Sequence, residues 1–218
     1  MTDFKYSAKL SHILATHSFL LIAALIFVFY FPATHAREPV KSLLEIRRNR
    51  VIVQKWDLSC GAAALSTLLT YQLNKPVSEK EVAQALIKRK EYIEHPELIN
   101  IKQGFSLLDL KRYVDGLGFE GIGFGKLTFA NLIKYAPIMV PIKVKGYNHF
   151  VIFRGYLGNR VLLADPAWGN RTMLTKAFTD AWIDYPKFGK VGFVVVDPSN
   201  NNQPNQMAPV PEDFVFLR

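Results

Sequence analysis

The sequence predicts an α+β domain in which helices come first along the chain and a mostly antiparallel sheet comes second. Apolar residues recur at helical spacing over residues 60–117, whereas the chain after Pro137 contains runs of β-branched and aromatic residues between turn signals. With 50% hydrophobic residues, the chain can bury a substantial core. Helices followed by strands indicate an α+β domain rather than a doubly wound parallel sheet, in which the two would alternate.

Four helices are predicted before the sheet. The first begins at Cys60, where small residues permit close packing, and the second covers residues 78–90, which begin with a capping-box pattern. The third covers residues 106–117 and ends at Gly118, the residue type expected just past a helix end. A shorter helix begins at Thr128.

Four strands are predicted from the segments PIMVPIKV, HFVIFRGY, RVLLAD and VGFVVVD. They cover residues 137–144, 149–156, 160–165 and 191–197. A tight turn around residues 156–159 joins the second and third strands, so these two are expected to form an antiparallel hairpin.

The segment GLGFEG, residues 116–121, matches the dinucleotide-binding pattern G-x-G-x-x-G. That pattern needs a strand before it and a helix after it, and the predicted order here is reversed. We therefore predict a helix end and a turn, and no cofactor. One cysteine and two well-separated histidines beyond the N-terminal segment form no ligand cluster, so no metal is predicted either.

The N-terminus has the pattern of an export signal. Lys5 and Lys9 precede the apolar run 19–31, and Ala36 ends a plausible small-residue cleavage site. Residues 1–36 are therefore predicted to be a signal peptide of a periplasmic or secreted protein. The alternative is an uncleaved segment that anchors the protein to the inner membrane through residues 19–31, although this run of 13 residues is shorter than the about 20 that span a bilayer.

The remaining length suits one domain with an appendage, predicted as residues 37–198 followed by a flexible tail at 199–218. The tail includes SNNNQPNQMAPVP, which has almost no core-forming residues. The net charge of +9 favours an acidic partner or an anionic surface, but no dense basic tract points to nucleic acid, and none is predicted as a partner.

Cys60 is the only cysteine of the chain, so an exported protein could not use it in an intrachain disulfide. It could be a small buried hydrophobe, one half of an intermolecular disulfide, or a reactive thiol. Its place at the start of a predicted helix favours thiolate over thiol, because unpaired backbone N–H groups and the positive end of the helix dipole lie there.

A nucleophilic cysteine needs a base, and only His95 and His149 remain after signal removal. His95 lies in a polar segment, where an exposed loop histidine is expected. His149 opens a strand of the predicted hairpin, and the turn places Asp165 nearly opposite or diagonal to it. Asp165 would then orient the imidazole, and Gln54 together with the backbone N–H of Cys60 would stabilise an oxyanion.

Each of these residues also has an ordinary structural interpretation. Cys60 could pack beside alanines, His149 could end a strand, Asp165 could precede a proline turn, and Gln54 could be a surface amide. Taken together they favour the catalytic interpretation, because one mechanism needs a nucleophile, a base, an orienting carboxylate and an oxyanion donor, and these residues could supply all four.

Gln54, then five residues and C-G-A-A from Cys60, with H-F-V from His149 and D-P-A-W-G from Asp165, resembles the peptidase domain that trims double-glycine leader peptides in bacteriocin-exporting transporters. The resemblance covers about residues 45–197. It implies a papain-like cysteine peptidase fold, with Cys60 as nucleophile, His149 as base, Asp165 as its orienter and Gln54 in the oxyanion hole. With an export signal, the chain is similar to stand-alone exported members, some of which accompany functional-amyloid secretion systems.

The expected function is that of an exported cysteine endopeptidase that cleaves a secreted polypeptide or a leader peptide, with a double-glycine-type site as one candidate cleavage site. Trp168, Phe105 and Tyr147 are candidates for a substrate groove, although aromatic residues near strand ends are more often core. One alternative is a non-catalytic peptide-binding domain of the same fold that assists secretion. Another is transfer of the acyl group to an amine instead of water.

Overall fold

The computed structural model describes residues 41–88, 93–95, 104–200 and 203–217. The predicted signal peptide at 1–36 and the alternative anchor at 19–31 lie outside these residues. Within the described part of the chain, no helix has both the length and the apolar character that crossing a membrane requires.

The domain consists of short helices and one main sheet. In chain order the elements are α1 (Leu43–Arg48), α2 (Cys60–Thr67) continued by a π-helical turn (Leu68–Gln72), α3 (Glu79–Ile87), α4 (Leu107–Gly116), β1 (Glu120–Phe124), α5 (Phe129–Tyr135), β2 (Ile138–Val144), β3 (Tyr147–Leu157), β4 (Arg160–Asp165), β5 (Gly169–Leu174), α6 (Thr175–Ala181), β6 (Asp184–Tyr185), β7 (Gly189–Lys190), β8 (Gly192–Val196) and α7 (Asp213–Phe216).

Three of the predicted helices begin where side-chain caps place them. Ser78, Ser106 and Thr128 are the N-caps of α3, α4 and α5, and each hydroxyl accepts the backbone N–H three residues later in a capping box. Past the end of α4, Gly118 has a φ of +86°, so the predicted helix end and turn are confirmed there.

Helix α2 begins at Cys60 as predicted, but it is set into the core rather than capped at the surface. All of its residues are buried, and its N-cap Ser59 makes no side-chain cap bond. A Cβ added at Gly61 would lie 3.3 Å from the Phe150 ring, so the glycine lets α2 pack closely on β3.

The main sheet has six strands in the order β1-β8-β2-β3-β4-β5, and every pairing is antiparallel. Alternate residues of β2 face opposite sides, because Met139 joins the core beneath α2, α3 and α4 while Val140 joins the core beneath α5 and α6. Helices therefore cover both faces of an antiparallel sheet, which confirms the predicted α+β class.

The two edge strands of the sheet, β1 and β5, were not predicted from the sequence. β1 has the sequence EGIGF and β5 has GNRTML, so neither shows the apolar alternation of a strand. In β1, a Cβ at Gly121 would lie 2.8 Å from both the Phe193 ring and a methyl of Val114. Gly121 breaks the apolar alternation by which a strand is recognised, and its lack of a Cβ is also what lets β1 pack against α4 and β8.

The C-terminal segment was expected to be flexible, and for residues 203–217 this is wrong. Met207 is fully buried, and Phe214 and Leu217 are 6% and 2% exposed. Polar contacts complete the attachment, since the buried Arg154 donates from Nε to the Met207 carbonyl at 2.7 Å, and Gln72 bonds Pro204 and Gln206. Few apolar residues suffice here because Met207, Phe214 and Leu217 enter the core, and side-chain amides bond backbone groups of the segment.

Replacing Met207 by alanine is expected to lower the free energy of unfolding by about 2–3 kcal/mol, because it leaves a cavity beneath the segment. Val215→Ala is the matched control, since this side chain is 63% exposed on the same segment and its loss should change stability by less than about 0.5 kcal/mol. Urea unfolding of both variants measures the difference. Equal stabilities would indicate that the segment does not pack on the domain.

Candidate active site

The four residues singled out from the sequence, Gln54, Cys60, His149 and Asp165, line one open cleft of about 580 Å³. One wall is the segment that leads into α2 and the first turn of that helix. The other wall comes from β3 and from the turn between β4 and β5. The structure therefore brings together residues that are far apart along the chain.

Cys60 is the first residue of α2 and is 6% exposed. As the first residue of a helix, its backbone N–H has no partner inside the helix, and its thiol lies at the positive end of the helix dipole. The low exposure argues against the intermolecular disulfide that the sequence left open. A thiol in this position has the setting of a nucleophile.

His149 on β3 links the thiol to the carboxylate. Its Nε2 lies 2.7 Å from Asp165 Oδ1, which leaves Nδ1 as the ring nitrogen for Cys60. Burial by itself lowers the pKa of His149, but the hydrogen bonds and negative charges of Asp165 and Cys60 outweigh it and raise the pKa from 6.5 to about 9. The imidazole therefore carries a proton at neutral pH.

Asp165 is a fully buried carboxylate whose hydrogen bonds are provided by β3, by its own turn and by β5. Oδ1 accepts from His149 and from the backbone N–H of Ala167 at 2.9 Å, while Oδ2 accepts from Arg171 Nε at 2.6 Å. Burial would raise the pKa of Asp165, but the hydrogen bond and charge of His149, with the charge of Arg171, lower it overall. The carboxylate thus stays ionised beside the imidazole.

The turn after Asp165 depends on a glycine. Gly169 has a φ of +81°, and any Cβ there would collide with the backbone carbonyl of Arg47. This tight return places Gly169 opposite Asp165 in the β4–β5 pair and brings Arg171 back to the carboxylate.

Arg171 is the site residue that the sequence did not reveal. The clue in the sequence is that Arg171 lies two residues after Gly169. Residues two apart in a strand share a face, and Gly169 pairs with Asp165, so Arg171 lies on the same face of β5 as this partner of Asp165. That signal is usable only when β5 is recognised as a strand, and its sequence GNRTML does not look like one.

Gln54 is held in the cleft by its backbone and by its side chain. Its N–H donates to the Pro166 carbonyl at 2.8 Å, which ties it to the turn after Asp165, and Nε2 donates to the Trp56 carbonyl at 3.1 Å. One hydrogen of this NH₂ group is therefore engaged, and the second is left to donate to an oxyanion. The Cys60 N–H is the other candidate donor, as predicted from the sequence.

The predicted groove residues divide between two places. Tyr147 and Trp168, which are 70% and 68% exposed, stand at the rim of the cleft. Phe105 is buried and instead lines two neighbouring apolar cavities, one of which also reaches His149. His95 is exposed, as expected, and does not line the cleft.

The arrangement meets the requirements of acyl transfer through a thiol. It provides a nucleophile at a helix N-terminus, a protonated imidazole facing it, a buried carboxylate behind the imidazole, and two N–H donors near the sulfur.

Comparison with known proteins agrees with this chemistry. Residues 48–186 match the peptidase C39 family. A protein of Pseudomonas aeruginosa named probable functional amyloid protease FapD is 35% identical over 144 residues, and its namesake in Pseudomonas fluorescens is 32% identical over 143 residues. Each alignment covers 66% of this chain, and the chain spans about 61% of the length of these relatives.

Two solved structures share the fold. The peptidase domain of Streptococcus ComA, a bi-functional ABC transporter involved in a quorum sensing pathway, has a TM-score of 0.51 at 17% identity, covering 67% of this chain and 96% of that domain. A double glycine motif protease from an AMS/PCAT transporter, solved with its leader peptide, has a TM-score of 0.51 at 23% identity, covering 67% of this chain and 89% of that one. The predicted papain-like fold is confirmed by these similarities.

Proposed function

Because the chain belongs to the peptidase C39 family and is a cysteine peptidase, we propose that it is an exported endopeptidase that cleaves a secreted polypeptide with Cys60 as its nucleophile. The observation that carries this proposal is the 2.7 Å pair of His149 and Asp165 facing the thiol in an open cleft. Export is proposed from the pattern of residues 1–36.

The proposed mechanism follows from the geometry. His149 holds the proton released by the Cys60 thiol, and the sulfur attacks the carbonyl carbon of the scissile bond. The oxyanion that forms accepts hydrogen bonds from the Cys60 N–H and from Gln54 Nε2. The C–N bond then breaks as His149 returns the proton to the leaving amine, which leaves a thioester on Cys60. The same imidazole next takes a proton from water, and the hydroxide bonds to the thioester carbon. The C–S bond then breaks, which releases the acid, and the proton held by His149 returns to the sulfur.

The proposed substrate is a secreted polypeptide, either an amyloid component or a protein with a leader peptide cut at a double-glycine-type site. The name of the Pseudomonas relatives supports the first choice, and the leader peptide bound to the transporter protease supports the second. The exposed aromatic rim of Tyr147 and Trp168 and the apolar cavity beside His149 offer surfaces on which an extended peptide can lie.

The test compares the secreted and periplasmic polypeptides of host cells that produce the wild type, the Cys60→Ala variant, or neither protein. Mass spectrometry of their N-termini is expected to find a cleaved product only with the wild type. The enzyme itself is expected in the periplasmic fraction, with an N-terminus that begins after residue 36. Joined chains in place of cleaved ones would indicate acyl transfer, and retention of residues 1–36 in membranes would indicate the anchor. Identical N-termini in all three strains would contradict the proposed function.

A further inference from the structure

Glu79 is a buried carboxylate close to the candidate site but not part of it. It is the first residue of α3 and is 4% exposed. The cap of α3 is made by Ser78 and Glu81, so Glu79 is not needed to begin the helix. Burying a carboxylate is costly unless it is well hydrogen-bonded, so its contacts indicate what it does.

Those contacts all lie on the segment that leads into the nucleophile. Both carboxylate oxygens lie 3.0 Å from the backbone N–H of Lys55, the residue after Gln54. Oε1 also accepts from the Ser59 hydroxyl at 2.5 Å, and Ser59 directly precedes Cys60. Glu79 thus contacts the chain next to each of the two candidate oxyanion donors.

The Trp56 carbonyl connects these contacts to the Gln54 amide. It accepts from Gln54 Nε2 at 3.1 Å, and it lies 2.6 Å from Ser59 Oγ, whose single hydrogen is shared between this carbonyl and Glu79. A chain of polar groups therefore runs from Glu79 through Ser59 and Trp56 to the amide that is proposed to bind the oxyanion.

The same segment contains a backbone conformation that needs support. Leu58 has a φ of +63°, a left-handed conformation that is unfavourable for a residue with a Cβ. Its carbonyl packs against Gly104, where an added Cβ would lie only 2.7 Å from the Leu58 oxygen. Such strain persists only where surrounding contacts hold it in place, and Glu79 supplies contacts on both sides of Leu58.

We propose that Glu79 is a positioning residue that fixes the Gln54 amide and the Cys60 N–H relative to each other, through Lys55 and Ser59. This inference rests on the proposed function. Donors set in place before the reaction matter most where negative charge develops on a carbonyl oxygen. Acylation of Cys60 develops that charge, whereas alkylation of the same thiol does not, so Glu79 should matter for the first reaction and not for the second.

Two substitutions separate hydrogen bonding from packing. Glu79→Met keeps an unbranched side chain of similar size but removes both acceptor oxygens. In Glu79→Gln the carboxamide oxygen can accept from Lys55 and its NH₂ can donate to the Ser59 oxygen, whose own hydrogen still reaches Trp56. The Gln variant should therefore retain the arrangement that the Met variant loses. Glu81→Met is the matched control, because Glu81 lies in the same helical turn and bonds Ser78.

The experiment measures two rates on the full-length protein, each taken as the difference from the Cys60→Ala variant, so that both report on the single cysteine. Acylation is followed by the burst of p-nitrophenol from p-nitrophenyl acetate, and alkylation is followed with iodoacetamide. Glu79→Met is expected to lower the acylation rate about 10-fold and to leave the alkylation rate within about twofold. Glu79→Gln and Glu81→Met should stay within about threefold of the wild type in both reactions.

Each other outcome counts against a specific claim. An equal loss in both rates, or no loss in acylation, overturns the positioning role while the proposed function stands. A wild-type thiol that reacts with neither reagent overturns the proposed function and the positioning role together. If Glu79→Met does not fold, Ser59→Ala takes its place, with the same selective loss of acylation expected and Ser66→Ala, a buried serine of the same helix, as its control.

Discussion

Cys60→Ala is expected to lower the rate of peptide cleavage by at least about 10⁴-fold and to leave peptide binding within about threefold. The sulfur is the only group in the proposed mechanism that bonds to the substrate, whereas the rim and the apolar cavity beside His149 remain after the substitution. The measurements are the turnover rate and the dissociation constant for the polypeptide identified by N-terminal mapping.

Ser66→Ala is the control for this substitution. Ser66 is buried in the same helix, and its hydroxyl donates to the Val77 carbonyl away from the cleft. This variant should keep full turnover once folded. A Cys60→Ala protein that still cleaves would exclude the thiol mechanism, and a wild type that binds the polypeptide without cleaving it would favour the non-catalytic peptide-binding domain.

Asp165→Asn is expected to lower kcat/KM by about 10²-fold or more and to move the alkaline limb of the pH profile to lower pH. The pKa of His149 is raised from 6.5 to about 9, so the proton that the leaving amine needs is present below that value and lost as the pH rises through it. Asparagine removes the Asp165 charge, which with Cys60 raises the pKa of His149, while burial, which lowers it, remains.

The pH dependence of kcat/KM, measured from about pH 5 to about pH 11, checks this expectation. The wild type should lose activity near pH 9, and the variant should lose it closer to the ordinary histidine pKa of 6.5 or below. Asp180→Asn is the control, because Asp180 forms an exposed pair with Lys176 far from the site and should leave the limb unmoved. If the alkaline limb of Asp165→Asn fell at the same pH as that of the wild type, Asp165 would not set the protonation of His149.

The parts of the fold that could be predicted are those decided by short stretches of sequence. The N-caps Ser78, Ser106 and Thr128 act over three residues, and the hairpin of β3 and β4 follows from one turn between two apolar runs. The pairing of His149 with Asp165 could be anticipated because it depends on this hairpin alone.

The parts that could not be predicted depend on contacts between distant segments. β1 and β5 are strands because β8 and β4 pair with them, and their own sequences give little sign of it. Arg171 was missed together with β5. The C-terminal segment looked flexible because its composition is polar, but Met207 enters a core that other parts of the chain build.

The proposed nucleophile is the first residue of a buried helix, and its proposed base and carboxylate lie on a hairpin formed by a later part of the chain. Helix α2 packs closely on β3 where Gly61 meets the Phe150 ring, and this packing brings the two parts of the site together. Before that docking the chain has a thiol without a base, so proteolytic capacity arises only when the domain has folded. Folding itself is therefore the step that assembles the proposed catalytic groups.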